Sequence, residues 1–277
     1  MFALVLLNAI FSPQKQTAMA PNESGFKTVN GIQLYYEIYG EGTPLVLIHG
    51  GGGSILNDFQ EVIPIYSEKY KVIGIDLQNH GRSDHRSIPA TFEQDVDDVA
   101  ELLLQLDIHK AHFLGFSNGG NTAMQIAFRH PNLVDKLIVA SSMFKREGMI
   151  SGFFDGFENG TLDMMPKSLQ ENFLKLNPNE QKLQNMFEKD SRRMQHFKDW
   201  DEAVLKSIQA PTLLINGDQD VVRNEHILEM NKLIPNSQVF FIPATHGSYL
   251  MPDMDGNLDQ KCIEKTTKKI LSFLKVN

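Results

Sequence analysis

The stretch that most constrains the fold is residues 111–120, AHFLGFSNGG, with Ser117 at its centre. A short apolar run, Phe113 and Leu114, leads into Gly115-Phe116-Ser117-Asn118-Gly119, which fits G-x-S-x-G. In that pattern a buried strand turns sharply into a helix and holds a serine hydroxyl out where a substrate can reach it. Strained backbone angles at the serine, and close approach of the chain on either side, require the flanking glycines. Asn118 then opens a helix, and its free N–H points toward any oxygen that becomes negative at the serine.

A chain of 277 residues holds one large domain, with or without an insertion. Hydrophobic residues make up 42% and charged residues 22%, enough apolar side chain for a substantial core. The net charge of −8 and the absence of a basic stripe argue against a nucleic-acid partner; the nearest basic cluster, 189–193, is broken by Asp190. One cysteine, Cys262, excludes an internal disulfide, and no Cys/His spacing resembles a zinc site. Cys262 falls in an expected surface helix and reads as structural or incidental.

Residues 2–11, FALVLLNAIF, are apolar but too short to span a bilayer, and Ala18-Met19-Ala20 fits the small-x-small rule for signal peptidase. Residues 1–20 are therefore expected to be a signal peptide, cleaved near Ala20, with export to the periplasm or medium; no Lys or Arg precedes the run, which leaves a cytoplasmic chain as the alternative. No later segment reaches spanning length, so no membrane insertion of the mature chain is expected.

Two strand-like runs, 26–29 and 32–39, meet at Asn30-Gly31, a strong hairpin signal. The continuous apolar run 45–48 ends in His49-Gly50-Gly51-Gly52-Gly53 and reads as a strand buried on both faces. Helical spacing over 59–66, a buried strand over 71–76, and a helix opened by the capping box Thr91…Gln94 follow. After the Ser117 strand come a helix over 118–129, stopped by His130-Pro131, and a strand over 134–140. This alternation marks a doubly wound α/β sheet. It breaks over 143–200, which holds six of twelve Met and seven of eighteen Phe, as expected of a helical cap whose apolar side chains mostly hold its helices together. Strands over 211–215 and 238–242, a helix over 224–233 and a last helix over 259–274 complete the pattern. The expected division is a core of 21–142 and 206–277 with a cap insertion of 143–205.

A serine becomes a nucleophile when a histidine takes its proton and an acid orients that histidine. In chain order Ser–acid–His, only His226 and His246 follow the candidate acids. His226 sits inside a helix and suits packing; His246, in the loop after the last strand, is the expected base. Of Asp218 and Asp220, the first suits the turn, with its carboxylate on its own backbone, and the second reaches the histidine. The alternative acid position, after the 134–140 strand, holds Ser141, Ser142 and Met143, none a carboxylate. The expected oxyanion-hole donors are the N–H groups of Asn118 and Gly51, with Gly52 able to substitute.

HGGGG at 49–53, DLQNHGRSD at 76–84, GFSNGG at 115–120, GDQD at 217–220 and THG at 245–247 stand in the order and spacing of the α/β-hydrolase superfamily, which the chain resembles over nearly all of 26–274 outside the cap. The resemblance implies a doubly wound, mostly parallel sheet of the α/β-hydrolase type with an inserted helical cap. It departs at Asn79, where glycine is usual in a structural loop, and at Asn118, which replaces the common Met but still offers its backbone N–H. The leading expectation is a carboxylic-ester hydrolase acting through an acyl-enzyme on a small-molecule ester, with no metal or organic cofactor. A lactonase, an amidase or aminoacyl-ester hydrolase, and a cofactor-free perhydrolase share the machinery; a non-catalytic ligand-binding protein is the more distant alternative. A substrate carboxylate would call for a cap guanidinium, with Arg146, Arg192 and Arg193 as candidates.

Overall fold

The computed structural model describes residues 19–275, so the expected signal peptide lies, but for Met19 and Ala20, outside the described residues. Asn30 and Gly31 both take positive φ, 43° and 85°, which closes a tight hairpin between β1 (Glu23–Val29) and β2 (Ile32–Tyr39). β3 (Thr43–Ile48) and β4 (Tyr70–Asp76) pair in parallel, as buried apolar runs do. Between them, the helical spacing of 59–66 does not yield one helix. α1 (Ile55–Phe59) stops and α2 (Ile63–Ser67) begins anew, because Pro64 has no N–H and is tolerated only in a first helical turn.

The Thr91–Gln94 capping box forms as expected and starts α3 (Phe92–Gln105). β5 (Ala111–Phe116) feeds α4 (Asn118–Arg129), and β6 (Val134–Ala140) follows. After β6 come α5 (Asp155–Glu158), α6 (Lys167–Leu176), α7 (Glu180–Gln195) and α8 (Glu202–Lys206), with no strand among them. The sheet resumes with β7 (Thr212–Gly217), α9 (Asn224–Leu233), β8 (Ser237–Ile242) and α10 (Gln260–Lys275).

The eight strands lie in the order β1-β2-β4-β3-β5-β6-β7-β8, antiparallel at β1–β2 and β2–β4 and parallel from there on. This is the doubly wound, mostly parallel α/β sheet that the sequence leads one to expect. Apolar layers cover both faces. In the insertion, Met165, Phe173, Leu183 and Met186 form a separate small cluster, whereas Met143, Phe144, Met149, Phe154, Met194 and Phe197 join the layer on the sheet. The Met- and Phe-rich side chains thus divide between holding the inserted helices together and fastening them down.

Cys262 lies on the buried face of α10, with its Sγ 3.8 Å from the carbonyl of Pro243, rather than on the surface. Among the described residues no helix is long and apolar enough to cross a membrane.

Candidate active site

Chain order reverses at β3: the chain leaves it to one side for β4, and β5 lies on its other side. Open α/β sheets bind ligands beyond the C-terminal strand ends at such a point. The loops after β3, β5, β7 and β8 carry Gly51, Ser117, Asp220 and His246 to that edge.

Ser117 has φ 53° and ψ −123°, a conformation that side chains rarely adopt. The turn is held by Ser117 N–H on the carbonyl of Ala140 (2.9 Å) and Gly120 N–H on the carbonyl of Ser117 (2.8 Å). It also needs bare backbone nearby: a Cβ on Gly115 would stand 2.2 Å from the carbonyl oxygen of Gly119, and one on Gly119 2.1 Å from that of Ile48.

His246 Nε2 lies 3.2 Å from Ser117 Oγ, and His246 Nδ1 lies 2.8 Å from Asp220 Oδ1. A carboxylate accepts, so Nδ1 carries the proton and Nε2 offers a lone pair to the hydroxyl. The ring of Phe116 packs against His246 with centroids 4.8 Å apart. Asp220 is fully buried at its carboxylate while His246 keeps 21% of its side chain exposed, so the acid is sheltered and the base is reachable. Burial alone would raise the Asp220 pKa; the His246 ring beside it and the hydrogen bonds it accepts outweigh this and lower it.

Those bonds bring in residues that spacing did not reveal. Ser141 Oγ donates to Asp220 Oδ2 (2.5 Å) and pairs at 2.5 Å with the hydroxyl of Tyr249, which is wholly buried. Val222 N–H donates to Asp220 Oδ1. Ser141 stands at the alternative acid position after β6, and it braces Asp220 from that neighbouring strand. Asp218, by contrast, does not bond its own backbone as expected: its carboxylate accepts from Ala244 N–H across the loop (3.3 Å). His226 is buried, stacks on Phe144 and accepts from the Phe144 N–H (3.1 Å), which is the packing role its helix position suggests.

In the loop after β3, Gly50 N–H is bound to Asp58 (2.7 Å) and Gly52 N–H to Asp190 (2.8 Å). Gly52 is therefore occupied and does not stand in for Gly51, contrary to the expectation. Among the described residues no acceptor meets the N–H of Gly51 or of Asn118, the first residue of α4. A Cβ on Gly51 would sit 2.7 Å from Asn118 Nδ2 and 3.2 Å from Asp190 Oδ2, so these two groups border the loop at the serine. Met165 and Leu169 from the insertion reach Gly52.

Two of the three candidate guanidinium groups are committed elsewhere. Arg193 pairs with Asp95 and Asp190, each at 2.7 Å. Arg146 lies over the Phe154 ring, 3.7 Å from its centroid, and donates to carbonyls of the insertion. Arg192 is exposed on a groove of about 690 Å³ that Ser117 does not line.

His80 Nε2 and Asp190 Oδ2 are 2.8 Å apart, and His80 Nδ1 faces the carbonyl of Gln78 at 2.9 Å. Both ring nitrogens face acceptors, which favours the protonated, charged ring, although Nε2 also lies 3.2 Å from the Gly52 nitrogen. Burial opposes that charge, but the Asp190 carboxylate outweighs burial and raises the His80 pKa. His49, whose ring lies 5.0 Å from that of His80, is wholly buried and pushed down to about 3 by desolvation, with the His80 charge adding to the effect.

The family model described as alpha/beta hydrolase fold matches residues 43–162. The chain is 35% identical over 124 residues to the uncharacterized protein Rv2715 of Mycobacterium tuberculosis, covering 45% of this chain and 36% of that protein. It is 37% identical over 118 residues to the sn-1-specific diacylglycerol lipase ABHD11 of Danio rerio, covering 41% and 37%. These matches span little more than a third of the relatives' length. Among solved structures, the enol-lactonase of Burkholderia xenovorans LB400 superposes with a TM-score of 0.72 at 19% identity, over 91% of this chain and all of that one. Sheet order and the family match over residues 43–162 show that the chain has the α/β-hydrolase fold.

Proposed function

We propose that the protein is a serine hydrolase that cleaves a small to medium carboxylic ester through an acyl-enzyme. The observation that carries this reading is the unbroken chain Ser117 Oγ–His246 Nε2 and His246 Nδ1–Asp220, at 3.2 and 2.8 Å, on a turn whose backbone is held under strain. Ser117 attacks the ester carbonyl as His246 takes its proton, and the same proton passes to the departing alcohol. Asp220 keeps the imidazole in the tautomer that leaves Nε2 free and stabilises the imidazolium that forms. Gly51 and Asn118 donate their N–H groups to the oxyanion. Water then repeats the sequence on the acyl-enzyme and releases the acid. Nothing in these steps calls for a metal or an organic cofactor.

An apolar wall from Met165 and Leu169, with Arg146 and Arg193 committed elsewhere and Arg192 exposed on a groove that Ser117 does not line, supports a neutral acyl group over a carboxylate-bearing one. The diacylglycerol lipase relative also supports the ester class. We further propose that residues 1–20 are a signal peptide for export and that 143–205 act as a cap over the site.

Initial rates on p-nitrophenyl esters from acetate to laurate, with Ser117→Ala in parallel, test the reading. Turnover at least a thousandfold lower in the variant is expected. Wild-type rates no better than the variant's on every ester would remove the esterase reading and turn attention to lactones, amides and peroxide.

A further inference from the structure

The loop 50–53 is four consecutive glycines, the least self-restrained backbone a chain can offer, yet one of its N–H groups must be aimed to within a few tenths of an ångström to serve an oxyanion. Gly50 N–H is fixed by Asp58, and Gly53 N–H returns to the Gly50 carbonyl at 3.2 Å. The shorter of the remaining polar restraints comes from the inserted helix α7, through the 2.8 Å bond from Gly52 N–H to Asp190 Oδ2; His80 Nε2 also lies 3.2 Å from the Gly52 nitrogen.

That carboxylate is itself clamped. Its Oδ2 also accepts from His80 Nε2 at 2.8 Å, and its Oδ1 accepts from Arg193 Nη2 at 2.7 Å. Arg193 Nη1 reaches Asp95 on α3 at 2.7 Å, and Asp95 in turn accepts from Gln78. Side-chain exposure is 13% for Asp190, 3% for His80 and 5% for Arg193, so the network is dry enough for its bonds to be strong.

We propose that Asp190 is a positioning residue for the oxyanion loop: it fixes Gly52 and so aims the adjacent Gly51 N–H at the reacting carbonyl oxygen. The inference rests on the serine-hydrolase reading above. A hydrolase built this way completes its oxyanion site only while α7 is seated. The groups facing the Asp190–His80 pair are Arg193 on α7, Asp95 on α3, and His49, Asp58 and His85 from the loops and short helix beneath.

Asp190→Asn keeps the shape and one acceptor oxygen but cannot hold Gly52, His80 and Arg193 together. On p-nitrophenyl butyrate, kcat and kcat/KM are expected to fall together by about ten- to a hundredfold with KM little changed, because the lost interaction acts on the transition state. The inhibition constant of a trifluoromethyl ketone, which forms an oxyanion on Ser117, should weaken by a similar factor; Asp190→Glu should restore part of both. A loss of thermal stability alone, with kcat/KM and ketone affinity within twofold of wild type, overturns the proposal.

Should the variants fail to fold, amide hydrogen exchange in wild-type protein labelled with ¹⁵N-glycine provides the check: Gly52 is expected to be protected and Gly51 not, and rapid exchange at Gly52 overturns the proposal. A wild-type protein that neither turns over esters nor reacts with a fluorophosphonate removes the hydrolase reading instead, and Gly52 exchange still reports whether the clamp exists.

Discussion

Two aspartate–histidine pairs lie near the serine, Asp220–His246 and Asp190–His80, each at 2.8 Å, and their chemistry is opposite. His246 turns its second nitrogen toward a hydroxyl that can give up a proton, and its side chain is 21% exposed. His80 turns its second nitrogen toward the Gln78 carbonyl, which has none to give, and is 3% exposed. The first pair can move a proton; the second can only hold one. What distinguishes the two rings is the partner of the far nitrogen, not the carboxylate that each one faces.

The largest break in the comparison comes from Asp220→Asn. The amide cannot hold His246 in the tautomer that frees Nε2, so kcat on esters should fall about 10³–10⁴-fold while the fold is retained. Circular dichroism and ester kinetics on the same preparation check this. A milder change, Ser141→Ala, removes a hydrogen bond from the same carboxylate and also unpairs the Tyr249 hydroxyl. It should lower kcat about tenfold and move the acid limb of the rate profile to higher pH, because the bond that helps hold the Asp220 pKa down is gone.

On the other side, Arg193→Met strips Asp190 and Asp95 of their shared cation and leaves both carboxylates buried. The cost to stability should be about 3–5 kcal/mol, read from urea unfolding. The smallest effect is a pH dependence. His80 has a raised pKa in the folded protein, so its contribution is complete below about 6.5 and is lost as pH rises through the folded value; Asp190 has a lowered pKa, so its contribution is complete above about 3.9 and is lost as pH falls through its folded value. The stability gap between wild type and His80→Gln should therefore be widest from about pH 4 to 6.5 and narrow on the alkaline side. A gap that widens with pH would show that His80 is not held as a cation.

Residues 115–119 made the serine turn legible in the sequence, because strain and close approach leave few alternatives to glycine there. The strands were legible as continuous apolar runs, and the Thr91 cap as a local pair of side chains. Asn79 sits at φ 68° where glycine is common; asparagine tolerates that region, which is why the departure does no harm. Where the reading stopped short, the deciding contacts were long-range. Ser141 and Tyr249 are 108 residues apart, and His80 and Asp190 are 110 apart.

Asp190 did leave one trace. Leu183, Met186 and Met194 form the buried stripe of α7, and Asp190 and Arg193 fall on that same stripe, where a solvated charge cluster would not sit. A basic cluster broken by an acid is, in this helix, a buried ion pair. The split of α1 from α2 was likewise visible in Pro64, which helical spacing alone overrides.

The most direct test of the central claim is intact-protein and peptide mass spectrometry after treatment with a fluorophosphonate. The account expects one adduct per chain, on Ser117, abolished in Ser117→Ala and strongly slowed in Asp220→Asn. An adduct on another residue, or labelling that is equally fast in wild type and Ser117→Ala, would contradict it.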